Sequence, residues 1–312
     1  MSEGPEVKII ADKIRNALGS SMTIQNIICK KIDEDIKNKI IGSSVEYVKT
    51  FGKNIVIKFS SGIYLRNHIM MWGKWRMYER NEYDGGLAKS PLTRRYLKWK
   101  KKNVGADMDK EIETKNVTQN KDVRQDPRVR LILITANNVL VQFNGPVLQF
   151  SYDDPASKEP IVSLGPDALS DNFEAHKVKF NLKNRSMKNT NLLIAAALLD
   201  QQIVSGIGNK YKSEILFLSN VYPFKKIYSL SEYELDKIIC NIPKVLSYGY
   251  VNKGKTRPLS EGEKSSWNTI HWVFRRSGRP CWICSTKISS EKKLTIRSTF
   301  WCSTCQPKAN HE

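Results

Sequence analysis

Apolar residues recur every three or four positions near the start of the chain, at Val7, Ile10, Ile14 and Leu18. That spacing lines one face of a helix; Pro5 suits its first turn and Gly19 its end, so a helix is predicted over 4–19. From 24 to about 150 the period changes to two. Ile55, Ile57 and Phe59 alternate with Val56 and Lys58, a Ser60-Ser61-Gly62 turn follows, and Ile63 and Leu65 continue the pattern, which is a hairpin. The runs 129–135 and 139–143 predict another. This half reads as a β-sandwich behind a leading helix. The stretch 98–127 is charged and aperiodic and is expected to be a mobile surface insertion. A polar linker follows the sandwich, and from 171 the pattern is helical. Helices are predicted over 191–200, over 210–218 with Asn209 as N-cap, and over 231–247. The fold class is therefore α+β and multidomain.

Charge narrows the partners. Lys and Arg number 51 against 31 Asp and Glu, a formal charge of +20. Such an excess favours a polyanion, because each phosphate contact releases counterions. An anionic membrane surface would also suit it. No apolar window reaches the length of a membrane span, and the start MSEGPEVKII lacks the pattern of a secretory signal. An intracellular, reducing location is expected, in which six cysteines argue against structural disulfides. Cys29 and Cys240 are expected to be buried bystanders.

The other four cysteines form two close pairs, Cys281/Cys284 and Cys302/Cys305, separated by 17 residues. Two such pairs can set four thiolates around one structural zinc ion, with no open position for chemistry. The loop between them carries Lys292, Lys293 and Arg297, cations that a nucleic acid would meet. The Gly206-Ile207-Gly208 turn before Asn209 opens a helix whose free N–H groups favour an anion, and Lys210 and Lys212 add charge. The same residues also suit an ordinary interhelical turn.

The first residues carry a different chemistry. Ser2 is small, so removal of Met1 is expected. The exposed α-amine, with a pKa of about 8 against about 10.4 for Lys, is a usable nucleophile near neutrality. Glu3 can act as acid or base beside it. As an alternative, Glu3 and Glu6 simply place acid in the first turn of a helix.

Taken together, these pieces resemble the formamidopyrimidine-DNA glycosylase and endonuclease VIII family. MSEGPE is similar to its start, Phe51-Gly52-Lys53 to its catalytic-lysine hairpin, and Leu164-Gly165-Pro166-Asp167 to its linker motif. LLDQQIVSGIGNKYKSEIL resembles its helix–two-turn–helix, and HWVFRRSGRPCWIC with TIRSTFWCSTC its zinc finger. The motifs run in family order from residue 1 to 306. The resemblance implies a catalytic N-terminal domain over 1–155, a linker over 156–170, a helix–two-turn–helix DNA-binding domain over 171–275 and a zinc finger over 276–312.

The implied activity is that of a DNA glycosylase and abasic-site lyase of base excision repair. The damaged nucleotide is flipped out of the duplex. The Ser2 amine forms a Schiff base with its sugar, and β,δ-elimination nicks the strand. In that scheme Glu3 opens the sugar, Lys53 assists β-elimination, and Arg297 serves a flanking phosphate. Asn209 binds phosphate and Glu6 supports the pocket. The loop after His68, with Met70, Met71 and Trp72, fills the gap left by the flipped base. Damaged DNA is the expected partner of a monomer; no small-molecule cofactor and no membrane is expected.

The chain departs from the family pattern in three places. Ser2 stands where Pro is usual. Asn144–Phe150 lacks the Arg and Phe wedge residues of the formamidopyrimidine branch, which favours the endonuclease VIII branch and oxidised pyrimidines. Ser163 and Leu164 stand where that branch usually has Arg. Charge, cysteines and the Asn209 turn would also suit a weakly active or noncatalytic zinc-containing protein that binds damaged DNA. A ribosome-associated basic protein would explain the charge but not the acidic start.

Overall fold

The computed structural model describes residues 2–19, 22–90, 122–292, 295 and 297–308. Most of the expected insertion lies outside the described residues, as do Met1 and Lys293. Its last residues form a short 3-10 turn, Val123–Gln125. Backbone contacts divide the chain into two compact units. The first comprises residues 10–49 and 54–155. The second takes Ser2–Ile9, Thr50–Lys53 and the chain from Ala156 onward.

The predicted first helix is α1 (Gly4–Leu18). Val7, Ala11, Ile14 and Leu18 are all buried, the four-three-four spacing of one helical face. Two four-stranded sheets make up most of the first unit. One contains β1 (Asn26–Cys29), β5 (Lys74–Glu79), β6 (Val129–Ile134) and β7 (Asn138–Phe143), in the order β1-β6-β7-β5. The other contains β2 (Val45–Phe51), β3 (Asn54–Phe59), β4 (Tyr64–His68) and β8 (Val147–Ser151), in chain order. The β3–β4 hairpin pairs Asn54 with His68 and Lys58 with Tyr64, as its alternation predicts. Trp75 of β5 donates its indole N–H to Asn67 of β4 at 2.9 Å, so a buried polar pair joins the two sheets. Short helices α2 (Glu34–Ile40) and α3 (Arg80–Asp84) also belong to the described part of the unit.

The second unit is built on α4 (Ala175–Lys188), α5 (Ile194–Ala197), α6 (Asn209–Leu218) and α7 (Glu232–Val251). Val178, Leu182, Ile194, Ile215, Ile238 and Leu246 meet in its core. The apolar run 191–200 is not the full helix expected. Only one turn of it is helical: the N–H groups of Ile194 and Ala195 donate to the carbonyls of Lys225 and Pro223, which sets its start, and those of Leu199 and Asp200 close tighter turns onto Ala196 and Ala197, which end it. A hairpin of β9 (Ser289–Glu291) and β10 (Thr299–Trp301) carries the cysteine module. Cys29 is only half-buried and Cys240 is exposed, so neither is the buried bystander expected. Among the described residues no helix is long and apolar enough to cross a membrane.

Candidate active site and cysteine centre

The second unit gathers nearly every reactive residue singled out from the sequence. The Gly4 N–H donates to the Gly206 carbonyl at 2.8 Å, which docks the first segment onto the turn before α6. Glu3 is thereby carried under that turn, where it is 1% exposed. Its carboxylate accepts from the backbone N–H of Lys210 at 3.0 Å and of Tyr211 at 3.2 Å. Free N–H groups and the helix dipole make this end of α6 an anion site, and the anion is Glu3 itself. Burial pushes the Glu3 carboxyl above its ordinary pKa, against the field of Lys210. Ser2 stands next to it and is half-buried.

Gly208 makes this approach possible. A Cβ there would lie 2.3 Å from the carboxyl carbon of Glu3. Gly208, not Asn209, is the N-cap of α6, and Asn209 is the first helical residue. The expected capping role of Asn209 is corrected because its side chain turns elsewhere. Its Nδ2 donates to the Ser298 carbonyl at 2.8 Å, and its Oδ1 accepts from Lys212 Nζ at 2.9 Å.

Lys53 reaches the same turn from the β2–β3 hairpin, and its Nζ donates to the Ile207 carbonyl. Burial lowers its pKa, and the Arg297 charge adds to that, while Glu3 and Glu6 work the other way. The hairpin tip is held by Asp167, whose carboxylate accepts the Gly52 N–H at 2.7 Å. Gly52 has a φ of 57° and faces Ser205, so a side chain is excluded on both counts. Asp167 and Gly208 stand in the sequence only as members of a linker motif and a turn, with no sign of these partners. Asp167 lies 115 residues from Gly52, and no local signal links them.

The two lysines expected to strengthen the anion site with their charge are instead turned inward. Lys210 donates to Glu6 and to the Gly254 carbonyl, and Tyr211 also donates to Glu6, at 3.1 Å. Lys212 is 0% exposed. Both ammonium groups are spent inside the unit, since a buried charge needs partners. Glu6 also accepts the Glu3 N–H at 3.2 Å, which ties the first turn together. Arg297 is exposed on the segment before β10.

The cysteines converge. The sulfurs of Cys281, Cys284, Cys302 and Cys305 lie within 4.8 Å of one another. Close separations are 3.4 Å for Cys284–Cys302, 3.5 Å for Cys284–Cys305 and 3.9 Å for Cys281–Cys305. Four thiolates at about 2.3 Å from one ion stand about 3.8 Å apart, so the donor set fits a tetrahedral metal. Phe217, Val273 and Ile288 pack around Cys281 and Cys302.

In the first unit, Met70 and Met71 follow β4 and are 50% and 48% exposed, while Trp72 is partly buried. Met70 has a φ of 54°, and its N–H donates to His68 Nδ1 at 3.2 Å.

Residues 1–129 match the formamidopyrimidine-DNA glycosylase N-terminal domain, and residues 164–259 match the H2TH domain of the same glycosylase. The chain belongs to the formamidopyrimidine-DNA glycosylase and endonuclease VIII family. Within this family it is 37% identical over 150 residues to the formamidopyrimidine-DNA glycosylase of Prochlorococcus marinus, covering 47% of this chain and 51% of that protein. The match thus spans about half the length of that relative. It is 25% identical over 308 residues to endonuclease 8 of Escherichia coli, covering 98% of this chain and 100% of that one. The MutM (Fpg) protein of Thermus thermophilus shares the fold, with a TM-score of 0.70, 22% identity, and 98% and 99% of the two chains covered. So does the Lactococcus lactis Fpg in complex with abasic-site DNA, with a TM-score of 0.71, 18% identity, and 98% and 100% covered. The family's N-terminal sheets, helical H2TH domain and four-cysteine cluster are all present in this chain.

Proposed function

We propose that the chain is a bifunctional DNA glycosylase and abasic-site lyase that excises oxidised pyrimidines, with the α-amine of Ser2 as nucleophile. The placement of Glu3 supports this assignment. A carboxyl of raised proton affinity is held by two backbone N–H groups next to Ser2, and the Lys53 ammonium lies within the fields of both Glu3 and Arg297.

In the reaction the Ser2 nitrogen bonds to C1′ of a flipped nucleotide and the base departs. Glu3, whose proton affinity burial raises, gives a proton to the ring oxygen and opens the sugar. Ser2 is a primary amine, so its imine acts as an electron sink once protonated. Loss of a C2′ proton then expels the 3′ phosphate, and a second elimination expels the 5′ phosphate. Lys53 stands at the phosphate side of β-elimination, and Arg297 contacts a flanking phosphate. Asn209 holds the Arg297 segment through Ser298.

The exposed Met70 and Met71, with Trp72 beside them, serve as the wedge for the vacated stack. The full-length match to endonuclease 8, and the lack within Asn144–Phe150 of the Arg and Phe wedge residues of the formamidopyrimidine branch, support the pyrimidine preference. Cys281, Cys284, Cys302 and Cys305 would hold one structural zinc ion, which would fold the hairpin and supply no reaction chemistry.

Borohydride trapping on an oligonucleotide with an abasic site tests this reading. A covalent adduct is expected, and one residue inserted before Ser2 should reduce it on the order of a thousandfold. Tight binding with no adduct would instead identify a noncatalytic damaged-DNA-binding protein. Metal analysis should return one zinc per chain.

A further inference from the structure

Lys212 has no part in the chemistry proposed above, yet it is one of the largest fully buried side chains in the molecule. Its Nζ donates to Asn209 Oδ1 at 2.9 Å and to Thr299 Oγ1 at 2.8 Å. Asn209 and Lys212 belong to α6, and Thr299 opens β10, so this ammonium bridges the helix to the cysteine hairpin.

An ammonium has three donors and no acceptor. Both of its partners must therefore accept. Asn209 is forced to turn its carbonyl oxygen to Lys212 and its NH2 to the Ser298 carbonyl, as observed. Thr299, which cannot donate to an ammonium, keeps its proton for other partners, and its Oγ1 donates to the Arg297 carbonyl at 3.4 Å. Its Oγ1 lies 3.0 Å from Thr295 Oγ1, which in turn donates to the Arg297 carbonyl. The donors lead from Lys212 to the Arg297 carbonyl, through Thr299 directly at 3.4 Å and through the neighbouring Thr295 hydroxyl. Consecutive carbonyls at 297 and 298 are thus clamped by groups that the ammonium orients.

We propose that Lys212 is a positioning residue: its positive charge fixes the direction of this hydrogen-bond chain and so the placement of Arg297. A neutral amine can accept as well as donate, and the chain then loses its unique direction. Burial lowers the Lys212 pKa to about 7, the Glu3 carboxylate raises it, and the Arg297 guanidinium lowers it further. The clamp is therefore set below neutrality and released as pH rises through about 7.

The proposal rests on the phosphate role of Arg297 for its catalytic consequence, but the clamp itself can be tested without DNA. The test combines amide hydrogen exchange over 295–299 with the ratio of strand scission to trapped imine, in the zinc-loaded full chain. Lys212→Met and Thr299→Val should each speed exchange and lower the ratio about tenfold, and Thr299→Ser should restore both. The wild-type ratio should fall as pH rises through about 7, and the Lys212→Met ratio should stay flat. Wild-type exchange in Lys212→Met and Thr299→Val, or a wild-type pH profile in Lys212→Met, overturns the inference. Absence of any wild-type imine sinks the lyase reading alone, and exchange still decides the clamp.

Discussion

Two helices of the second unit begin in opposite ways. The first N–H groups of α7 are capped from next door: Ser231 Oγ accepts the Glu234 N–H at 3.1 Å, and Glu234 accepts the Ser231 N–H at 2.8 Å. The reciprocal pair is a capping box. Those of α6 are capped by Glu3, more than 200 residues away in sequence. The same elementary need, partners for orphan N–H groups, is met once by a neighbour and once by the residue proposed as the acid–base group. Glu234 is partly exposed and paired with Lys225 at 2.9 Å. Burial works upward on its carboxyl, but Lys225 and the Ser231 N–H outweigh that and hold its pKa below the ordinary value. Glu3 is buried, and its pKa is raised. The local cap lowers the proton affinity of its carboxyl, whereas burial at the remote cap raises it.

The contrast can be broken most forcefully at Gly208. Its φ of −129° is open to any residue, so Gly208→Ala tests sterics alone. The new methyl displaces Glu3 and should lower base release about a hundredfold, with zinc content unchanged. Steady-state excision kinetics on a lesion-bearing duplex check this.

Ser231→Ala, at the local cap, should cost about 1 kcal/mol of unfolding free energy in urea and leave excision unaltered. Loss of excision there would erase the division between the two caps.

The smallest effect is in pH, and its sign differs between the caps. Glu3 has a raised folded pKa, so the stability it contributes is full below its unfolded pKa near 4.5 and is lost as pH rises through the folded value. Glu234 has a depressed one, so its contribution is present above about 4.5 and is lost as pH falls through the folded value. Subtracting the Glu3→Gln and Glu234→Gln stability curves from the wild type should give opposite slopes. Parallel slopes would mean that Glu3 is not held as described.

Periodicity and spacing were enough for the elements whose stabilisation is local. The 4–19 face, the Ser60-Ser61-Gly62 hairpin, the Ser231 start and the paired cysteines could all be read from neighbours a few residues apart. The candidate site was legible only as a roster. Glu3, Lys53 and Arg297 could be named, but not that Glu3 would occupy the anion site ascribed to a phosphate, nor that Lys210 and Lys212 would be buried. Asp167 and Gly208 acquire their roles from partners 115 and 205 residues away, and the start of the one helical turn in the 191–200 run is set by carbonyls at 223 and 225. Hydrogen bonds between distant segments, and the proton affinities that burial imposes, belong to the packed chain. No window of sequence contains both partners, so the tertiary structure alone decided them.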